Sequence, residues 1–147
     1  IEYNARFGDP ETQVLMTRLA SDIMPALIAA HDGTLDTQKL NWKNEAALTV
    51  VMAANGYPGA YDKDTEIGGL AAAGALDNVQ VFHAGTRFDG ARMLAIGGRV
   101  LNVTATGASV GAAQARAYEA VAKIKWPDGF CRSDIGWRAV AREKSSI

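Results

Sequence analysis

The stretch IEYNARFGDPETQ, residues 1–13, decides how the rest of this chain is read. Its opening residues read as the end of a strand, where side chains two apart point to the same face. Glu2 and Asn4 then stand side by side, a carboxylate next to an amide oxygen. Such a hard-oxygen pair suits Mg²⁺, which prefers oxygen ligands and often bridges substrate phosphates rather than sitting in an all-protein cage. Arg6 follows two positions on, where a guanidinium can clamp a phosphate or carboxylate bidentately. Gly8, Asp9 and Pro10 break the strand into a turn over residues 6–11, with Asp9 and Glu11 as further acceptors at the start of a helix. A Glu-x-Asn pair alone is most simply a solvated strand end. Three polar groups on alternate positions, running into Gly-Asp-Pro-Glu-Thr-Gln, are denser than a strand end needs. The stretch also starts with no initiator Met and no lead-in, so the chain is expected to be the C-terminal piece of a larger enzyme.

Downstream, apolar residues recur at Leu15, Leu19, Ile23 and Leu27, one face at helical spacing. Pro25 would break a continuous helix but is tolerated in a first turn, so the pattern predicts a break near Ser21. A second helix, capped by Asp22, then runs to His31 and ends at Asp32-Gly33. Residues 34–44 are polar and irregular, a plausible domain boundary. Residues 46–54 read as a strand closed by the turn sequence Asn55-Gly56-Tyr57-Pro58-Gly59. Residues 62–78 read as loop, 79–84 and 92–96 as short strands. Gly97-Gly98 reads as a two-residue hairpin turn feeding a strand over 99–106. Ser109 is placed to cap a helix over 110–124 with Ala113, Ala117, Val121 and Ile124 inward, and Glu119 and Lys123 as an outward i,i+4 pair. The tail, residues 126–147, is expected to return across the sheet. The fold class that follows is α+β: a strand and helices first, then a small mixed domain of antiparallel strands with one packed helix.

Composition bounds the function. At 147 residues, 48% hydrophobic and 21% charged, the chain suits one core of moderate size. A net charge of −1 gives no broad attraction to nucleic acid or to anionic membrane. The longest apolar run, residues 46–54, is too short for a membrane span. The single cysteine, Cys131, excludes an internal disulfide framework and fits a reducing cytoplasm.

With these residues in view, the chain resembles the phosphoribosylamine–glycine ligase family, the glycinamide ribonucleotide synthetases, which are ATP-grasp enzymes of purine biosynthesis. IEYNARFGDPETQ carries the resemblance first. VVMAANGYPGAY (50–61), VFHAGT (81–86), GGRVLNVTATG (97–107) and FCRSDIGWRAV (130–140) continue it in order. The resemblance implies that residues 1–43 end the ATP-grasp domain and 44–147 form the family's small C-terminal domain. It implies a reaction in which ATP phosphorylates glycine and 5-phosphoribosylamine attacks the acyl phosphate. It implies Mg²⁺ or Mn²⁺ on Glu2 and Asn4, and ATP as co-substrate. Arg6 and Asp9 are implied as catalytic groups, and Arg6, Gly8, Asp9 and Glu11 as substrate-facing ones, while Arg99 is a substrate-binding candidate from its place after Gly97-Gly98. The nucleotide-gripping lysines, the adenine pocket and the N-terminal substrate domain are not in these residues, so the missing portions are implied as structural partners. The chain alone is expected to be inactive.

Other residues have plainer readings. Glycines 97 and 98 are explained by a turn, although the turn would also present Arg99 toward a phosphoribosyl group. His83 reads as a hydrogen-bonded structural residue, His31 as capping or solvated, and Cys131 as an incidental thiol. Arg132, Asp134 and Arg138 near Trp137 read as a stabilising polar cluster. Two alternatives stay open: another ATP-grasp enzyme of biotin carboxylase-like or purine carboxylase type, since Glu-x-Asn-x-Arg recurs across that superfamily, and a non-catalytic packing module over residues 44–147.

Overall fold

The computed structural model describes residues 4–145. Ile1, Glu2 and Tyr3, on which most of the expected first strand falls, lie outside them, and Asn4 is not in a strand. The first helix, α1 (Glu11–Arg18), follows the Gly8–Pro10 turn. The chain leaves helical geometry at Leu19, whose ψ of 126° is extended, and Leu19 bridges to Trp42. The second helix, α2 (Met24–Asp32), starts one residue later than a cap at Asp22 would place it: its N-cap is Ile23, which makes no side-chain capping bond. Asp22 Oδ1 accepts from the Met24 amide at 2.9 Å, Pro25 sits in the first turn, and Gly33 closes the helix with a φ of 72°. A single 3-10 turn, Leu35–Thr37, leads back to the sheet.

The strands divide between two sheets. β1 (Ala46–Ala54), β3 (Val79–His83), β6 (Arg99–Gly107) and β7 (Gly129–Cys131) make a four-stranded antiparallel sheet in the order β3-β6-β1-β7. β2 (Thr65–Ile67), β4 (Thr86–Phe88) and β5 (Met93–Ala95) make a three-stranded one in the order β2-β5-β4. Residues 62–78 are therefore not all loop, since they hold β2 and the short helix α3 (Leu70–Gly74). The expected hairpin at Gly97-Gly98 is also corrected. β5 and β6 belong to different sheets, and the glycines serve close packing: a Cβ on Gly97 would sit 2.9 Å from Gly85 Cα, and one on Gly98 would sit 2.4 Å from the Tyr57 ring.

One face of the larger sheet is covered by α4 (Val110–Val121). Val50, Leu101, Val103 and Ala105 pack there against Ala113, Ala117 and Ala120, all of them fully buried. Alternation of period two on the strands and small residues on the helix let the layers approach closely. Ser109 caps α4 as expected, its Oγ accepting from the Ala112 amide at 3.1 Å. Glu119 is drawn to Arg116 at 2.9 Å rather than to Lys123. Two elements of the tail return to the body. β7 pairs with the far edge of β1, and α5 (Trp137–Ser145) packs on α4.

The opposite face carries Thr49, Val51, Asn102 and Thr104, with Thr49 opposite Thr104 and Val51 opposite Asn102. Thr104 Oγ1 donates to Thr49 Oγ1 at 2.8 Å, which satisfies two hydroxyls in a buried position. α1 lies over one end of this face. Toward the other end the register shifts between Met52 and Ala53, so that Ala53 faces Arg99. Such a bulge re-aims the side chains beyond it. Here it brings Arg99 out beside Ala53 while Val100 stays fully buried.

Candidate functional site

Where α1 stops covering the sheet, a cleft of about 410 Å³ opens, with Val51 and Ala53 on its floor. Pro10, Tyr57, Phe130 and Ile135 supply further apolar wall, and Arg99 and Arg132 supply its two cations. Cys131 also lines it, and burial pushes its thiol pKa up, so the sulfur is protonated at neutral pH. The turn over residues 6–11 gives this cleft Pro10 and β6 gives it Arg99, and Arg99 in turn pairs with Asp9.

The contact between them is built on Asp9. Arg99 Nη2 meets Asp9 Oδ2 at 3.1 Å, and Arg99 Nη1 donates to the Asp9 carbonyl at 3.3 Å. Oδ1 accepts from Gln13 Nε2 at 3.1 Å, one helical turn on, and from Asn102 Nδ2 at 3.5 Å. Both carboxylate oxygens are thus engaged. With Arg99 and Asp9 44% and 38% exposed, the ion pair itself contributes at most about 1 kcal/mol. The carboxamides are the costlier members. Asn102 is 1% exposed, and its Oδ1 and Gln13 Oε1 are buried without a partner among the described residues. A buried acceptor left unmet costs about 1–3 kcal/mol, which marks this corner as one where local stability is not optimised.

A second meeting point lies at Gly8. A Cβ built there would sit 2.3 Å from Glu11 Oε2 and 3.4 Å from Asn4 Nδ2. The missing side chain is what lets the Glu11 carboxylate occupy that space, with the Asn4 carboxamide nitrogen at its edge. The Asn4 atom at this place is the carboxamide nitrogen, a donor, so of the pair only the Glu11 carboxylate presents a hard oxygen that a divalent cation of the Mg²⁺ type could use. Glu2, the other expected ligand, lies outside the described residues. Among the described residues no three His, Cys, Asp or Glu side chains gather as a metal cluster. Arg6 is exposed, and its Nη1 donates to the Phe7 carbonyl at 3.0 Å.

His83 Nδ1 is 3.0 Å from Thr86 Oγ1, a local structural bond. Arg132 grips Asp134 through Nε and Nη2 at 2.8 and 2.6 Å, which holds the Asp134 carboxyl below the usual range. Arg138 lies 5.3 Å over the Trp137 ring. Sequence reasoning missed Gln13 and Asn102. The one available signal was a carboxamide in the apolar run VLNVTAT.

Residues 47–138 match the family model described as "Phosphoribosylglycinamide synthetase, C domain". The chain belongs to the phosphoribosylglycinamide synthetase C-domain family. Members of this synthetase family stand close to it. A protein named phosphoribosylamine--glycine ligase from Mesorhizobium japonicum is 61% identical over 146 residues, covering 99% of this chain and 34% of that protein. The chloroplastic phosphoribosylamine--glycine ligase of Arabidopsis thaliana is 51% identical over 98% of this chain and 27% of its own length. The crystal structure of phosphoribosylamine--glycine ligase from Thermotoga maritima superposes with a TM-score of 0.76 at 32% identity, over 92% of this chain and 32% of that one. The chain spans about a third of the length of the curated synthetase relatives it matches. Among the described residues no helix is long and apolar enough to cross a membrane.

Proposed function

We propose that the chain is the C-terminal part of an ATP- and Mg²⁺-dependent ligase that joins glycine to 5-phosphoribosylamine, a step of de novo purine biosynthesis in the cytoplasm. The observation that carries this reading is the near-complete match to proteins named phosphoribosylamine--glycine ligase, 61% identical across 99% of the chain. In this reading residues 1–43 end the ATP-grasp domain and residues 44–147 are the C-terminal domain. The γ-phosphoryl group of ATP passes to a glycine carboxylate oxygen, which gives glycyl phosphate and ADP. The amine of 5-phosphoribosylamine attacks the carbonyl carbon, the carbon–oxygen bond to phosphate breaks, and the amine nitrogen loses a proton as the amide forms.

Catalysis of such a transfer is mainly positioning and charge neutralisation. Glu2 and Asn4 would hold Mg²⁺ or Mn²⁺. The ion, when bound, offsets the negative charge between phosphates and carboxylate. Arg6 is assigned to an anionic group of the substrates and Asp9 to the neighbourhood of the reacting atoms. Arg99, at the rim of the apolar cleft, is assigned to the phosphoribosyl side. The nucleotide-gripping groups belong to the portions outside residues 1–147, which act as structural partners. The isolated chain is therefore expected neither to turn over nor to bind ATP tightly.

The test is Glu2→Ala in the full-length polypeptide, with glycinamide ribonucleotide formation followed against Mg²⁺ concentration. Loss of Mg²⁺-dependent turnover is expected, whereas near-normal activity overturns the metal assignment. Tight ATP binding by residues 1–147 alone would overturn the division of labour.

A further inference from the structure

Asn102 lies on the central strand of the larger sheet, paired with Val51 on one side and Phe82 on the other. Its neighbours in sequence, Leu101 and Val103, are fully buried core residues. A carboxamide is an unexpected occupant of such a place, because burying it costs free energy unless both its donor and its acceptor are met. Here Nδ2 is directed to Asp9 Oδ1 while Oδ1 has no partner among the described residues. Gln13 repeats the arrangement from α1, with Nε2 on the same Asp9 oxygen and its own Oε1 unmet. Two carboxamides from elements 89 positions apart in sequence thus spend their donors on one oxygen of one aspartate. Arg99 holds the other oxygen. Fold stability alone does not select this, since an apolar residue at position 102 would leave no unmet acceptor in the sheet.

We propose that Asn102, with Gln13 beside it, is a positioning residue that fixes the Asp9 carboxylate in one rotamer at the Arg99 end of the cleft. Asn102 acts from a rigid strand and Gln13 from the helix that the signature turn initiates. Together they give Oδ1 a fixed direction relative to both. The role rests on the proposed ligase reading, in which Asp9 stands near the reacting atoms. It makes the sheet of the C-terminal domain a contributor to the geometry of the signature loop rather than a passive cover.

The experiment uses the full-length polypeptide with Asn102→Ala and Gln13→Leu, assayed with glycine, 5-phosphoribosylamine, ATP and Mg²⁺, alongside crystal structures of the parent and both variants. The expected result is a tenfold or greater fall in kcat in each variant with the KM for ATP unchanged. Asp9 leaves its parental rotamer, and melting temperatures stay within a few degrees of the parent. Gln13→Leu sits on a half-buried helix face, so it reports even if Asn102→Ala folds poorly. A kcat within twofold of the parent in both variants, or an Asp9 rotamer unchanged in both, overturns the proposal. A parent protein that forms no glycinamide ribonucleotide overturns the ligase reading instead, and the rotamer comparison then still decides whether Asn102 and Gln13 orient Asp9.

Discussion

At the scale of single residues, Gly8 is the position where a minimal change separates fold from function. No left-handed φ demands glycine there, and the nearest obstacle to a Cβ is the far end of the Glu11 side chain. Gly8→Ala is therefore expected to change stability by less than about 0.5 kcal/mol, in the range of ordinary surface substitutions. It must nonetheless displace the Glu11 carboxylate from the space over Gly8. In the full-length polypeptide, kcat/KM should fall at least about tenfold, a ~1.4 kcal/mol loss of transition-state stabilisation. Unchanged kinetics would show that the placement of the Glu11 carboxylate over Gly8 has no part in turnover. Two aspartates away from this corner make the acid limb of stability predictable. Asp89 is held below the usual carboxylate range first by the Arg92 backbone amide and then by that of Ala91, and Asp134 by its hydrogen bonds from Arg132. A folded-state pKa below the unfolded value, about 3.9, gives stability that is present above that pH. It is lost as pH falls through the folded value. Denaturation curves of Asp89→Asn and Asp134→Asn should thus separate from the parent above about pH 5 and converge with it toward pH 2. Curves that stay parallel throughout would contradict the linkage.

At the scale of elements, the start of α4 shows how one helix can depend on another. Ser109 satisfies the Ala112 amide, while Glu143, reaching over from α5, accepts from the Val110 amide at 2.7 Å and the Gly111 amide at 3.1 Å. The first amides of the helix are thus met by one hydroxyl and one carboxylate, and the negative charge also suits the helix N-terminus. Ser109→Ala should cost about 1 kcal/mol. Glu143→Ala should cost about 1–2 kcal/mol, because it removes a charge-assisted pair and loosens α5 as well. Urea unfolding midpoints at constant slope measure both. A Glu143→Ala midpoint equal to the parent would mean that α5 does not brace α4. Of the two caps, only Ser109 was legible in the sequence. It precedes a helical apolar pattern by one residue, whereas Glu143 is 33 positions away from Val110 and nothing local points to it. The same distinction runs through the whole fold. β1, β6 and α4 declare themselves through long apolar runs or a clear helical face. β2 and α3 are three and five residues long, too short for a period to accumulate, and so read as loop. Gly97-Gly98 reads as a hairpin because turns are the commonest use of paired glycines. Its actual use, the close passage of Gly85 and Tyr57, depends on chain segments more than ten residues off. The candidate site divides likewise. Asn4, Gly8, Asp9 and Glu11 stand within one short motif, but the approach of Asp9 to Arg99 and Asn102 is a product of the tertiary fold.

At the scale of the whole molecule, the core and the signature segment are unevenly matched. Both clusters of buried apolar residues, one around Leu101 and Val103 and one around Val50 and Ala117, draw entirely on residues 48 and beyond. Ala26 and Ala29 of α2 are buried outside either cluster, and Phe7, Leu15, Met24, Leu27, Ile28, Leu35 and Trp42 all keep a third or more of their surface exposed. Residues 4–43 add no side chain to either cluster, and on that ground we propose a domain boundary near residue 44. Burial of a Val or Leu side chain supplies about 1.5–3 kcal/mol, and the fully buried Val50, Val100, Leu101 and Val103 are all retained when residues 1–43 are removed. What the truncation gives up is the cover of α1 over Thr49, Asn102 and Thr104, three polar side chains that water can satisfy. Residues 44–147 expressed alone are accordingly expected to unfold cooperatively, with a midpoint a few degrees below that of the 147-residue chain, and to bind less of an apolar dye such as ANS. Circular dichroism melts and dye fluorescence on the two proteins decide the matter. A broad, non-cooperative melt of residues 44–147 would mean that α1 completes the core. The boundary would then have to move toward the N-terminus, taking the Asp9–Arg99 contact inside a single folding unit.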